Sequence, residues 1–171
     1  MKIRTLIRIA SLVTLLLLFI TVAPAQENKK DTIKLGVSFV NSEYTVNPVE
    51  AVEYLQGVKV NFEAKEASFK GFYLNGVFIY KRNSFDAPTD TYAFGQKLSY
   101  RFGPVEPYGQ VAFGFDTTYN RDKTFTREYS VGGDLNLGHV YVRLAEVSWK
   151  RTEGFLSPST QTFSSGIGVR F

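Results

Sequence analysis

The sequence predicts an all-β protein, an eight-stranded antiparallel up-and-down β-barrel that crosses a membrane with its strands. Three observations carry the prediction. In the last nine residues Phe163, Ile167, Val169 and Phe171 alternate with Ser164, Gly166, Gly168 and Arg170. Strand side chains alternate faces with period two, so the small and charged row can lie inside only if the apolar row meets lipid. At the other end Lys2, Arg4 and Arg8 precede an apolar stretch over 9–23, and Ala23-Pro24-Ala25 offers a small-residue cleavage site before Gln26. That is the pattern of a secretory signal peptide. The intervening chain has no second apolar run fit for a membrane helix, yet it is rich in Tyr, Phe, Gly and Thr arranged in period-two stretches, the weak per-segment signature of a transmembrane barrel.

Two domains of unequal kind are expected: a cleaved signal over 1–25 and one barrel domain over 26–171. A membrane anchor would need about 20 apolar residues and stop-transfer flanks, and the amino-terminal run is shorter. The absence of cysteine excludes a lipoprotein anchor, disulfides and thiolate metal sites. The signal holds three of the 20 Lys and Arg and none of the 16 Asp and Glu, so the exported part balances 17 against 16. Its basic residues are scattered among acids, and nucleic acid, which selects a clustered basic patch, is not an expected partner.

The first strand is predicted over 31–41, with Ile33, Leu35, Val37 and Phe39 on one face and Lys34, Gly36 and Ser38 on the other. A long connection over 42–56 contains Asn47-Pro48 and has room for a short helical turn. The second strand, 57–64, sets Val58, Val60 and Phe62 against Lys59, Asn61 and Glu63. In the third, 69–81, Tyr73, Val77 and Ile79 sit opposite Phe72, Leu74, Phe78 and Tyr80, and the even positions are expected outward. The fourth, 91–102, alternates Tyr92, Phe94, Leu98, Tyr100 and Phe102 with Ala93, Gly95, Lys97, Ser99 and Arg101. Gly103-Pro104-Val105-Glu106 reads as a turn.

The fifth strand, 107–119, places Val111, Phe113 and Phe115 against Gln110, Ala112, Gly114, Asp116 and Thr118. The sixth, 125–137, places Tyr129, Val131, Leu135 and Leu137 against Glu128, Ser130, Gly132, Asp134 and Asn136, and Gly138-His139 turns the chain. The seventh breaks phase, because Val140, Val142 and Leu144 are apolar at even positions and Val147 and Trp149 at odd ones. A β-bulge near Ala145-Glu146 is predicted, since without it Arg143 or Glu146 would face lipid. The eighth strand is the carboxyl-terminal segment.

Short links after strands two, four and six and long ones after one, three and seven predict periplasmic turns and external loops, the latter at about 42–56, 82–90, 120–124 and 151–161 with the third the shortest, and an even strand number. With this pattern in place the chain resembles the small OmpA/OmpX-type outer-membrane β-barrels over 31–171. The resemblance rests on the Ser165-Gly166-Ile167-Gly168-Val169-Arg170-Phe171 end and on Val142-Arg143-Leu144 ahead of Trp149. It implies an integral outer-membrane location and a carboxyl-terminal signal, Ile167, Val169 and Phe171, read by the barrel-insertion machinery. Larger members of the family carry a peptidoglycan-binding domain after the barrel, and that tether is not expected here.

Eight strands enclose a space that their own side chains can fill. Lys34, Lys59, Lys97, Arg101, Arg143, Lys150 and Arg170 are expected in that lumen with Glu63, Asp116, Glu128, Asp134 and Glu146, paired because unpaired buried charge is costly. A narrow pore or transporter for small solutes is the alternative use of the same residues. Two aromatic belts are expected outside: Tyr80, Tyr92, Tyr119, Tyr129 and Trp149 towards the external ends, and Phe62, Tyr100, Phe102, Tyr108, Tyr141 and Phe171 towards the periplasmic ends. No cofactor or metal is expected. Small outer-membrane barrels include lipid A deacylases and palmitoyltransferases, but His139, the one histidine, falls in a turn with no serine two residues away, which departs from the deacylase His-x-Ser arrangement, so no catalytic activity is expected. The partners implied are outer-membrane lipid and an extracellular ligand held by loops bearing Tyr44, Tyr54, Phe85 and Phe155. A soluble lipocalin-like carrier is the remaining alternative, and it would put its apolar face inward.

Overall fold

A computed structural model describes residues 33–46, 51–84, 89–117, 123–153 and 159–171. Eight strands follow in chain order: β1 (Ile33–Val46), β2 (Ala51–Phe69), β3 (Phe72–Ser84), β4 (Thr89–Tyr100), β5 (Val105–Thr117), β6 (Lys123–Leu137), β7 (Val140–Thr152) and β8 (Ser159–Arg170). Each pairs antiparallel with the next, and β8 returns to β1 to close the barrel. The seam is finished by two backbone bonds between Ile33 and Phe171, at 3.2 and 2.9 Å.

Pairing fixes the tilt. A line of directly paired residues runs from Ile33 through Ala64, Gly76, Gln96, Val111, Tyr129, Trp149 and Gln161, and it re-enters β1 at Glu43. One circuit therefore climbs ten residues along β1, from position 33 to position 43. An eight-stranded wall with that stagger tilts its strands by about 40°. At roughly 3.3 Å per residue the climb is about 25 Å along the axis, the height of the apolar band of an outer-membrane barrel.

The wall is inside-out relative to a soluble protein. Phe39 is 78% exposed, Phe94 66% and Ile167 58%, whereas Lys97 is 0% and Arg143 1% exposed. A lipocalin-like carrier has the opposite polarity. On β3 the even residues Phe72 and Leu74 point out while Val77 and Ile79 point in, where Ile79 packs against Ala93 and Ala112 as a small apolar layer within the polar lumen.

The β2–β3 and β6–β7 turns at one end have two residues each, and the β4–β5 link closes around Gly103 and Pro104 through an isolated Phe102–Val105 bridge. Lys70 and Gly71 both have positive φ, 46° and 85°, the combination of a type I′ hairpin, whose twist matches that of the strands. Lys70 is the one non-glycine described residue with positive φ. Lys70→Asn is expected to raise the unfolding free energy by about 0.5 kcal/mol, because Asn adopts this region at lower cost; reversible urea unfolding in lipid vesicles measures the shift, and an unchanged midpoint would contradict it.

At the other end the strands run further than their hydrophobic pattern. β1 and β2 stay paired to Val46 and Ala51, so 42–46 and 51–56 are strand rather than loop, and the part of the expected connection around Asn47-Pro48, with its room for a helical turn, lies outside the described residues. β8 begins at Ser159 rather than 163. Polar strand residues beyond the apolar band can stay hydrogen-bonded in water, so pairing outlasts the alternation that revealed it. At the opposite end β5 starts at Val105, so Glu106, expected in a turn, is a strand residue. The phase break in β7 is resolved at Leu144-Ala145: the β8 ladder slips between Arg143 and Glu146, and the β6 ladder between the partners of Arg143 and Ala145. Arg143 and Glu146 both point inward as a result.

Candidate functional site

The lumen holds three groups of ion pairs stacked along its axis. Nearest the two-residue turns, Glu106 accepts from Lys34 at 2.5 Å, Ser99 at 3.0 Å, Asn136 at 3.1 Å and Arg101 at 3.2 Å. Above it, Arg143 donates to Asp134 and Glu63 at 3.0 Å and to the Asn61 carbonyl at 3.1 Å, with Glu146 at 3.6 Å. Lys97 bridges the same two acids, Glu63 at 3.0 Å and Asp134 at 2.9 Å. The planar guanidinium fork suits this multiple pairing in a way an ammonium does not. Lys59 then links Glu146, at 2.5 Å, to Glu128, at 3.7 Å, and Lys81 reaches Glu128 at 3.1 Å. Towards the loop end Lys150 and Thr91 hold Asp116, at 2.7 and 2.6 Å.

Every charged residue expected in the lumen lies there, with Arg101 at its turn-end mouth and only partly covered. Arg170 donates to the Gly138 carbonyl, tying β8 to the β6–β7 turn. Two participants escaped the sequence reading, Glu106 and Lys81. Parity would have found both, since Glu106 shares its face with Gln110, Ala112 and Asp116, and Lys81 with Asn75 and Ile79.

Two residues expected in the aromatic belts belong instead to the lumen. Tyr108 is 5% and Tyr141 1% exposed. Tyr108 has the parity of Gln110 and Asp116; it donates to Glu146 at 2.7 Å, and the Lys97 ammonium lies 3.9 Å from its ring centroid. Tyr141 has the parity of Arg143 and accepts from Asn61 at 3.3 Å. Glycines make both seats: a Cβ on Gly132 would strike the Tyr108 phenol, and one on Gly36 or Gly168 would strike Tyr141. The rings, as well as the charged side chains, fill the space these glycines leave.

The remaining belt residues described face outward. Tyr80 and Tyr92 are cross-strand neighbours with ring centroids 5.2 Å apart, and Tyr129 is paired with Trp149. Tyr100 packs on Phe72 at 4.7 Å, and Phe102 and Phe171 are exposed at the turn end. Phe62, expected at that end, is paired with Phe78 higher on the wall. Tyr119 lies outside the described residues, as do the loop side chains of Tyr44, Tyr54, Phe85 and Phe155. Ile167, Val169 and Phe171 line one outward row of the closing strand. His139 is exposed in the β6–β7 turn.

Chemically this arrangement favours closure over passage. The space at the turn-end mouth, between Lys34, Glu63, Lys65, Tyr73, Asn75, Arg101 and Glu106, measures about 10 Å³, room for one water molecule.

No protein-family model matches the chain, and no curated protein matches it in sequence. Solved structures do. Ail, the attachment invasion locus protein of Yersinia pestis, superposes with a TM-score of 0.57 at 13% identity, over 82% of this chain and 99% of Ail. Neisserial surface protein A gives 0.58 at 10% identity, over 81% and 97%. The N-terminal β-barrel domain of Pseudomonas aeruginosa OprF gives 0.52 at 10% identity, over 83% and 100%. Closed topology, outward apolar rows and these superpositions agree: the chain has the fold of the small eight-stranded outer-membrane β-barrels.

Proposed function

We propose that this chain is an integral outer-membrane barrel with a structural or surface-interacting role, its lumen plugged by its own side chains. The observation that carries the reading is the Arg143 centre, where Glu63, Lys97, Asp134 and Arg143 pair across the lumen at 2.9 to 3.0 Å. A solute could pass only by separating these pairs. Residues 1–25 serve as the cleaved export signal, and Ile167, Val169 and Phe171 as the signal for the barrel-insertion machinery. No catalytic role is assigned, because the histidine stands in a solvated turn away from the external face.

With the interior filled, interaction falls to the loop end. Exposed Arg82, Lys123 and Arg151 ring the described part of that end, and the structure of Ail with the heparin analogue sucrose octasulfate gives a precedent on this fold for binding a sulfated sugar. Conductance in planar bilayers tests the reading. The purified barrel is expected to give no steady unitary openings; persistent ion-selective openings would replace the plug with a narrow pore.

A further inference from the structure

Among the described residues near the level of Gln96 the outward side chains are Val, Leu, Ile, Phe, Ala, Gly or Ser, apart from Gln96 itself and its neighbour Glu66. Gln96 stands between Phe94 and Leu98 on β4, and it is the fourth residue of the paired line that climbs from Ile33 to Glu43. Three of eight strand steps put it roughly 9 Å up a climb of about 25 Å, within the turn-end half of the apolar band. There its amide donates to both carboxylate oxygens of Glu66, at 3.3 and 3.1 Å. Glu66 is the extra residue of the β2 bulge between Lys65 and Ala67. Its carboxylate occupies the notch left by Gly76, where a Cβ would strike Oε1.

Both side chains are exposed on the lipid-facing wall. Hydrocarbon offers neither donor nor acceptor, so a polar pair held at this depth is costly unless something covers it. We propose that the outer face of β2, β3 and β4 is the contact surface for a second copy of this chain, keyed by Glu66 and Gln96. The depth argues against a lipid headgroup. The chemistry argues for a copy: the two N–H bonds of an amide diverge, so one faces the Glu66 carboxylate while the other points away, and the Gln96 carbonyl and the carboxylate lone pairs remain acceptors. A set holding both donors and acceptors complements itself about a two-fold axis. At the edge of this face Gly109 of β5, paired with Leu98, presents bare backbone to a close approach, since a Cβ there would meet nothing within 4 Å. Small residues beside a polar pair are what membrane-embedded contacts use in place of a hydrophobic drive.

This inference goes beyond the plugged-lumen reading and is tested separately. The chain has no cysteine, so Leu98→Cys, next to Gln96 on the outward row, reports a copy at this wall, and Ile167→Cys reports the opposite one. In phosphatidylethanolamine–phosphatidylglycerol vesicles, oxidation is expected to cross-link the Leu98→Cys protein and not the Ile167→Cys protein. Adding Glu66→Leu and Gln96→Leu is expected to weaken the dimer about tenfold, while heat-shifted gel mobility shows the barrel still folded. Gly76→Val, which fills the notch and displaces Glu66, is an independent disruption with the same expected result. Equal cross-linking at both walls, undiminished dimer in the leucine variant, or monomer at every protein-to-lipid ratio would overturn the proposal, and none of these outcomes bears on whether the lumen conducts.

Discussion

Arg143→Leu is expected to lower the unfolding free energy by about 3–5 kcal/mol, the cost of leaving buried partners unpaired. The guanidinium contacts Asp134, Glu63, Asn61 and Glu146, at 3.0 to 3.6 Å. Without it Lys97 and Lys59 are the cations left among three carboxylates. Arg143→Lys keeps the charge and loses the fork, so its cost should fall between the parent and the leucine variant. The informative comparison is Arg143→Leu with Asp134→Leu. That double change leaves Lys97 with Glu63 and Lys59 with Glu146, both pairs complete, and most of the lost stability should return because apolar replacements of a whole buried pair are often near neutral. Trp149, the single tryptophan, faces lipid at the loop end and reports reversible urea unfolding in vesicles. A leucine variant within 1 kcal/mol of the parent would mean the central cluster is solvated and the plug is not what holds the wall together.

Such a result would also reach the functional reading, because the same side chains that stabilise the barrel obstruct it. An axial path must open Glu106 from Lys34 and Arg101, then the Arg143 centre, then Lys59 and Lys81 from Glu128. Each layer bridges strands well separated in the chain, as Lys97 of β4 does with Glu63 of β2 and Asp134 of β6. On the proposed reading, opening means separating charges that are mostly buried, and closure of the lumen would follow from the stability of the wall.

The strands were legible because lipid outside and charge inside make the alternation strong wherever a strand crosses the band. Lys34, Lys59 and Lys97 could be placed from parity alone, and a phase break near Ala145-Glu146 from a count of apolar positions, one residue on from the observed slip at Leu144-Ala145. Legibility failed where parity met a competing expectation. Tyr108 and Tyr141 share a face with charged residues, but aromatic rings near strand ends also fit a belt, and nothing local shows that Gly132, Gly36 and Gly168 have vacated space inside for them. It failed again above the band, where 42–46 and 51–56 lack alternation yet remain paired because the backbone still needs hydrogen bonds. The Glu66–Gln96 pair was invisible for a different reason: a bulge at 65–67 has no hydrophobic signature, and the notch at Gly76 exists only once β2 and β3 are in register.

The seat of Tyr141 offers the sharpest check on these assignments. Gly168→Leu is expected to cost about 3 kcal/mol, since a Cβ there would meet the Leu35 carbonyl and the Tyr141 ring, and overpacking against backbone has little room to relax. Tyr141→Ala alone should cost a similar amount, from the cavity and from the lost partner of Asn61. Together they should cost less than their sum by about 1–2 kcal/mol, because the leucine moves into the space the ring gives up. If Tyr141 stood in lipid, as its position near a strand end first implies, the two changes would be independent and their costs would add. Refolding into vesicles without the insertion machinery keeps the comparison clean: Ile167, Val169 and Phe171, the proposed insertion signal, point outward and are unchanged in every variant, and any coupling between positions 141 and 168 is a property of the lumen itself.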